Sequence, residues 1–342
     1  MTSRKLTVTK WASILLLSAL CWMVVRDYVT AAVSTEPLGP TFVQGDPNRQ
    51  SSWKVIVYGD TRFTDPSNVV AVNPKVRRWL VQKIADEAPS VILLSGDLPY
   101  TGSNANDYAV FREETKPWRD REIHFYPALG NHELKGGDQL GLANWWRTFP
   151  DLNGRRWYSV AYRNAYFILL DTDAPLNDGS EQRTWFDRQI AHLPANIRFV
   201  FVVQHHPPIA DLPMDPGHTP QANEVDFAHH LEEQAAGTRL PFIVVAGHIH
   251  NYERFSEKGV FFLISGGGGA KPHVVPRGPQ DLYKDPSFPN YHYMKFAIDR
   301  KTISASMIRL ANPDATSAVW EIKDAFTIES GPDGCVAEQA LK

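Results

Sequence analysis

The chain has 342 residues, 43% of them hydrophobic, with 35 Lys and Arg against 38 Asp and Glu for a formal net charge of -3. Such a length suits one large α/β domain, and the apolar fraction excludes a disordered chain. The near-balanced charge, without a long Lys/Arg run, excludes a nucleic-acid binder of the electrostatic kind. The only two cysteines, Cys21 and Cys335, exclude a disulfide framework and a thiolate metal site.

In chain order, Arg4, Lys5 and Lys10 precede an uncharged apolar run from Trp11 to Val25. Residues 1–33 therefore read as a signal peptide or, uncleaved, as an N-terminal anchor. The run is short for a spanning helix, which needs roughly 20 apolar residues. An exported chain is expected, secreted or periplasmic, touching a membrane only through that segment. Residues 34–51, rich in Pro, Gly and polar side chains, read as a linker. Residues 52–325 read as the folded domain and 326–342 as a tail.

Within the domain, strand-like and helix-like segments alternate. Trp53 to Tyr58 is an apolar strand running into Gly59-Asp60, and Pro74 to Glu87 has helical spacing. Val91 to Leu94 is a strand running into Gly96-Asp97, and Glu122 to Leu129 one running into Gly130-Asn131-His132-Glu133. Trp157 to Tyr162 and Tyr166 to Leu170 form a hairpin around Arg163-Asn164. A helix over Glu181 to Leu193 leads to the strand Arg198 to Val203, which ends at Gln204-His205-His206. A helix over Asn223 to Ala236 leads to the strand Phe242 to Ala246, which ends at Gly247-His248-Ile249-His250. Val260 to Ile264 enters the run Gly266 to Gly269, and Tyr291 to Ile298, Thr302 to Leu310 and Val319 to Ile322 read as antiparallel strands. The fold class is α/β, two packed mixed β-sheets flanked by helices.

Five apolar strands thus end in Asp, Asn or His clusters, and ligands bind beyond the carboxyl ends of strands in such sheets. Asp60, Asp97, Asn131, His205, His248 and His250 are expected to meet at one rim. Their mixed oxygen and nitrogen donors suit Zn, Mn or Fe better than Ca or Mg.

These clusters follow the ordered motifs of the calcineurin-like metallophosphoesterases. Gly96-Asp97-Leu98-Pro99-Tyr100 and Gly247-His248-Ile249-His250-Asn251-Tyr252-Glu253-Arg254 narrow the resemblance to single-domain purple acid phosphatases, over roughly Trp53 to Ala270. The resemblance implies a four-layer sandwich and an acid-phosphatase-like hydrolase of phosphate monoesters acting through a metal-bridged hydroxide. It implies two metal ions roughly 3.5–4 Å apart. One, expected to be Fe, takes Asp60, Asp97, Tyr100 and His250. The other, Zn, Mn or Fe, takes Asp97, Asn131, His205 and His248. His132 is implied as the group that protonates the leaving alkoxide. The alternatives are a Mn- or Zn-dependent phosphodiesterase of the same superfamily and an inactive binding module.

The wider superfamily has a His two residues after the first Asp, where this chain has Arg62, which can approach phosphate oxygens bidentately. Of the remaining residues, His206 reads as a loop residue beside the site and Glu133 as a carboxylate orienting a ligand. His124 reads as structural, and His192, His229 and His230 as solvated. Trp145 and Trp146 read as core or docking residues. The glycine run reads as a close passage under the metals. The loop containing His218 and the insertion Lys271 to Asn290 are where substrate choice would reside.

Overall fold

A computed structural model describes residues 39–46, 51–211 and 217–331, and the backbone of 336–340. The expected signal peptide or anchor, both cysteines, and parts of the expected linker and tail lie outside these residues.

Two seven-stranded mixed sheets form the body. In the first, β2 (Trp53–Tyr58), β3 (Val91–Leu94) and β4 (His124–Pro127) run parallel. β11 (His292–Ile298), β12 (Thr302–Leu310), β13 (Trp320–Ser330) and β14 (Val336–Ala340) extend it antiparallel beyond β2. In the second, β7 (Phe199–Val203) and β8 (Phe242–Ala246) are the parallel centre. β6 (Ala165–Leu169), β5 (Tyr158–Tyr162) and β1 (Phe42–Gln44) lie beyond β7. β10 (Val260–Ser265) and β9 (Tyr252–Glu257) lie beyond β8.

The period-two alternation of strand side chains builds the layers. Phe199, Phe201 and Val203 face the core shared with the first sheet, where Phe201 meets Phe296 edge-on at 5.3 Å. Val200 and Val202 face outward onto α6 (Glu181–Ala191) and α7 (Ala222–Thr238). Fully burying each such side chain stabilises by about 1.5–3 kcal/mol before conformational entropy is counted. The first sheet is covered by α1 (Pro74–Asp86), α2 (Ala105–Glu114), α3 (Lys116–Asp120) and α5 (Asp138–Thr148). α1 starts where Asn73 accepts the Val76 N–H at 3.1 Å, with Pro74 in the first turn, and it buries Val76, Leu80 and Ile84. Four layers result: helices, sheet, sheet, helices.

Three boundaries differ from the sequence reading. β13 crosses residue 325 and continues to Ser330, where β14 pairs with it, so the sheet enters the expected tail. β1 lies in the expected linker; its three residues pair with β5, too short a run to show a period. β9, paired antiparallel with β10, follows directly on the Gly-His-x-His cluster. Trp145 is buried in the core and Trp146 packs against it, as the core reading required.

Candidate metal centre

The five clusters leave the carboxyl ends of β2, β3, β4, β7 and β8, three from one sheet and two from the other. Sharp exits bring them together. Asp60, Asp97 and His248 have φ of 56°, 55° and 70°, a left-handed conformation that costs a non-glycine residue energy and persists where surroundings enforce it. Glycines provide the approach. A Cβ on Gly247 would lie 2.3 Å from Asp60 Oδ2, and one on Gly268 1.9 Å from the Gly59 carbonyl oxygen. The glycine run does pass against the loop that carries Asp60.

Asp60, Asp97 and His205 are fully buried, and their donor atoms lie within 4.8 Å of one another. Around His205 Nε2 stand Asn131 Oδ1 at 3.1 Å, Asp97 Oδ1 at 3.2 Å and His248 Nδ1 at 3.3 Å. Bonds of about 2.1 Å to one ion put neighbouring ligands about 3.0 Å apart in an octahedron and about 3.4 Å in a tetrahedron. Each of these three contacts to His205 Nε2 therefore has the spacing of neighbouring ligands on an ion. On the other side, His250 Nε2 is 3.5 Å from Asp60 Oδ1.

Backbone carbonyls fix the imidazole tautomers. His205 Nδ1–H donates to Ser95 O at 2.9 Å, His250 Nδ1–H to Lys271 O at 2.6 Å and His248 Nε2–H to Gly217 O at 2.7 Å. The other ring nitrogen of each is left as a lone-pair donor turned to the cluster, the usual arrangement of ligating histidines. His250 Nε2 is buried without a hydrogen-bond partner. A buried unpaired acceptor beside a buried carboxylate pair is what a cation would satisfy, so the residues fit a metal.

Electrostatics agree. Burial, and then neighbouring imidazoles, bring His205 and His248 down to about 4. His250 falls well below its ordinary value through burial and Arg62. All three are neutral at pH 7, as ligation requires. Burial, then Asp97, push Asp60 well above the usual carboxylate range. Asp97 is buried too, yet His205, His132, Arg62 and the His132 backbone N–H hold it below that range.

His132 Nδ1–H donates to Tyr100 O at 2.6 Å, which turns Nε2 toward Asp97 Oδ2 at 3.8 Å. The Tyr100 ring lies 5.6 Å from that of His132, with Lys135 Nζ 3.9 Å above it. Tyr100 thus stands beside His132 at the rim; among the described residues no polar contact of its hydroxyl defines a ligand position.

Glu133 acts on the candidate ligand loops through backbone: its carboxylate accepts the N–H groups of Asp97 at 3.0 Å, Leu98 at 2.8 Å and Gly130 at 2.7 Å. It clamps the loops that carry Asp97 and Asn131 together. His206 is nearer the centre than its sequence reading: it belongs to a group with His205 and His248, and Thr172 Oγ1 pins its Nδ1 at 2.8 Å. His230 is not solvated but paired with Asp187 at 2.5 Å, because α7 packs against α6. His124 is exposed at the start of β4 rather than structural. His273, in the insertion after the glycine run, stacks on His250 at 4.1 Å and accepts its backbone N–H at 3.2 Å. The carbonyl partners and these loop contacts depend on chain trajectory and carry no residue-type signal.

The calcineurin-like phosphoesterase family profile matches residues 54–252. A phosphoenolpyruvate phosphatase of Allium cepa is 23% identical over 186 residues, 48% of this chain and 36% of that protein. A probable purple acid phosphatase 20 of Arabidopsis thaliana is 23% identical over 220 residues, 58% of this chain and 51% of that protein. The chain thus spans about half or less of the length of these curated relatives. In fold it is similar to the purple acid phosphatase PPD1 of yellow lupin (Lupinus luteus), with a TM-score of 0.66 at 17% identity over 84% of this chain and 56% of that one. With the profile covering more than half of its length, the chain belongs to the calcineurin-like phosphoesterase family.

Proposed function

We propose that the chain is a metal-dependent phosphoric ester hydrolase of the purple-acid-phosphatase type, acting on phosphate monoesters at a dinuclear centre. The observation that carries this reading is the set of four donors centred on His205 Nε2, with Asp60 and the unpaired His250 Nε2 beside it. Asp97, Asn131, His205 and His248 would hold one ion, Zn, Mn or Fe; Asp60, Asp97, Tyr100 and His250 would hold the other, with Fe favoured by the tyrosine. When bound, the ions would acidify a water and neutralise charge on the phosphoryl oxygens.

The protein's own residues supply the rest. Carbonyls of Ser95, Lys271 and Gly217 aim the imidazoles, so little reorganisation is needed on loading. Glu133 holds the Asp97 and Gly130 loops in register. His132, with Nδ1–H held by Tyr100 O and Nε2 turned inward, would in its protonated form pass the Nε2 proton to the departing alkoxide. The buried setting keeps bulk water from screening these charges.

Export is part of the same proposal and rests on the Arg4, Lys5, Lys10 and Trp11–Val25 pattern. Among the described residues no helix is long and apolar enough to cross a membrane. The functional test is hydrolysis of p-nitrophenyl phosphate by the full chain. Activity that disappears in Asp97→Ala supports the reading, and activity that survives this substitution overturns the two-metal assignment.

A further inference from the structure

We propose that Arg62 binds the phosphoryl oxygens of the substrate and favours doubly charged monoesters over singly charged diesters. The inference rests on the hydrolase reading above.

Arg62 is built into place. Its φ is 45°, left-handed, and its N–H donates to Asp97 O at 2.9 Å. Its carbonyl accepts from Arg77 Nη1 at 3.0 Å. Arg77 is fully buried and doubly bonded to Glu114, at 2.8 Å through Nε and 2.8 Å through Nη2. The main chain at Arg62 is thus fixed by the Asp97 loop and by a buried ion pair.

The guanidinium reaches the centre without being consumed there. Nη2 is 3.4 Å from Asp97 Oδ2, on the carboxylate whose other oxygen faces His205. That is longer than the 2.7–2.9 Å of a charge-assisted hydrogen bond. Nε is buried without a hydrogen-bond partner, and the side chain is 18% exposed. Arg77 and Glu114 are the internal comparison: a guanidinium held only as a counter-ion closes a tight two-point contact. Arg62 instead keeps donors in reserve beside the candidate metal ligands. A planar fork with free N–H groups matches the spacing of phosphate oxygens. In Coulomb terms, one fixed positive charge favours a dianion about twice as strongly as a monoanion at equal distance.

The experiment uses the metal-loaded full chain, with Arg62→Gln and Arg62→Lys. It reads metal per chain, the dissociation constant of inorganic phosphate by calorimetry, and kcat/KM for p-nitrophenyl phosphate and bis(p-nitrophenyl) phosphate. For Arg62→Gln the expected result is wild-type metal content, phosphate binding weakened roughly 10- to 100-fold, and a monoester-to-diester ratio lowered about fivefold or more. Arg62→Lys falls between it and wild type, because it keeps the charge and loses the fork. Phosphate affinity within twofold of wild type in both variants overturns the proposal. So does a loss of metal that parallels the loss of affinity at an unchanged ratio, which would make Arg62 a support for Asp97. Should Arg62→Gln fail to fold, Arg62→Lys carries the test, and wild-type phosphate affinity in it refutes the proposal. A wild-type chain that takes up no metal and hydrolyses neither ester defeats the hydrolase reading itself, and this inference with it.

Discussion

Replacing Glu133 separates the scaffold of the site from its donors. The carboxylate is fully buried and accepts three backbone N–H groups: those of Asp97 and Gly130 on Oε2 and that of Leu98 on Oε1. In Glu133→Gln the amide oxygen can keep the Oε2 pair, which leaves the amide N–H₂ facing the Leu98 N–H, donor against donor. One buried donor is then unpaired, a cost of roughly 1–3 kcal/mol. In Glu133→Ala all three are unpaired, roughly 3–9 kcal/mol, reduced by removing a carboxylate that burial and Asp97 already push well above its usual range. The Asp97 loop also loosens, so chelator competition should show metal affinity weakened about 10- to 100-fold. Urea denaturation of the metal-free proteins measures the first effect without the second. A Gln variant within about 0.5 kcal/mol of wild type would refute the clamp.

Three further substitutions test the packing and the charge states. Gly268→Ala puts a Cβ 1.9 Å from the fixed Gly59 carbonyl and should cost about 3 kcal/mol or more, whereas Gly237→Ala, in α7 with nothing within 4 Å, should be neutral or stabilise by up to about 1 kcal/mol; thermal melts of the pair compare the two signs directly. His292 is fully buried, its Nδ1–H donating to Asn290 O at 2.8 Å, and burial brings it down to about 4 from 6.5. The unfolded chain therefore binds the extra proton first on acidification, so this stabilisation is complete above pH 6.5 and is lost as the pH falls to about 4, on the order of 3 kcal/mol. In His292→Asn the stability-versus-pH profile should flatten by that amount across the window, and an unchanged slope would show that the imidazole is not held neutral.

The parts of the site legible in the sequence were those where a physical rule leaves a residue-type trace. Apolar strands that end in Gly-Asp or Gly-His mark the strand ends, and both parallel centres deliver them to one rim. The α1 boundary was legible because Asn73 and Pro74 are strong start signals. β9 was missed because Tyr252–Glu257 carries Glu253 and Arg254, whose burial depends on partners far along the chain: Asp211 N–H donates to Glu253, and Asp324 receives Arg254. β1 was missed because three residues at a sheet edge show no period. The three backbone partners of Glu133 are not legible, because sequence shows a carboxylate near the cluster but not which N–H groups it meets. The tautomer-fixing carbonyls leave no trace at all, since every residue has one.

The most direct measurement is metal content per chain, by elemental analysis of protein purified without chelators, for wild type and Asp97→Ala. The account predicts two ions in wild type, one of them iron if Tyr100 is a ligand, and loss of both when the shared carboxylate is removed. A wild-type chain that holds no metal even after reconstitution with iron, zinc and manganese would contradict it.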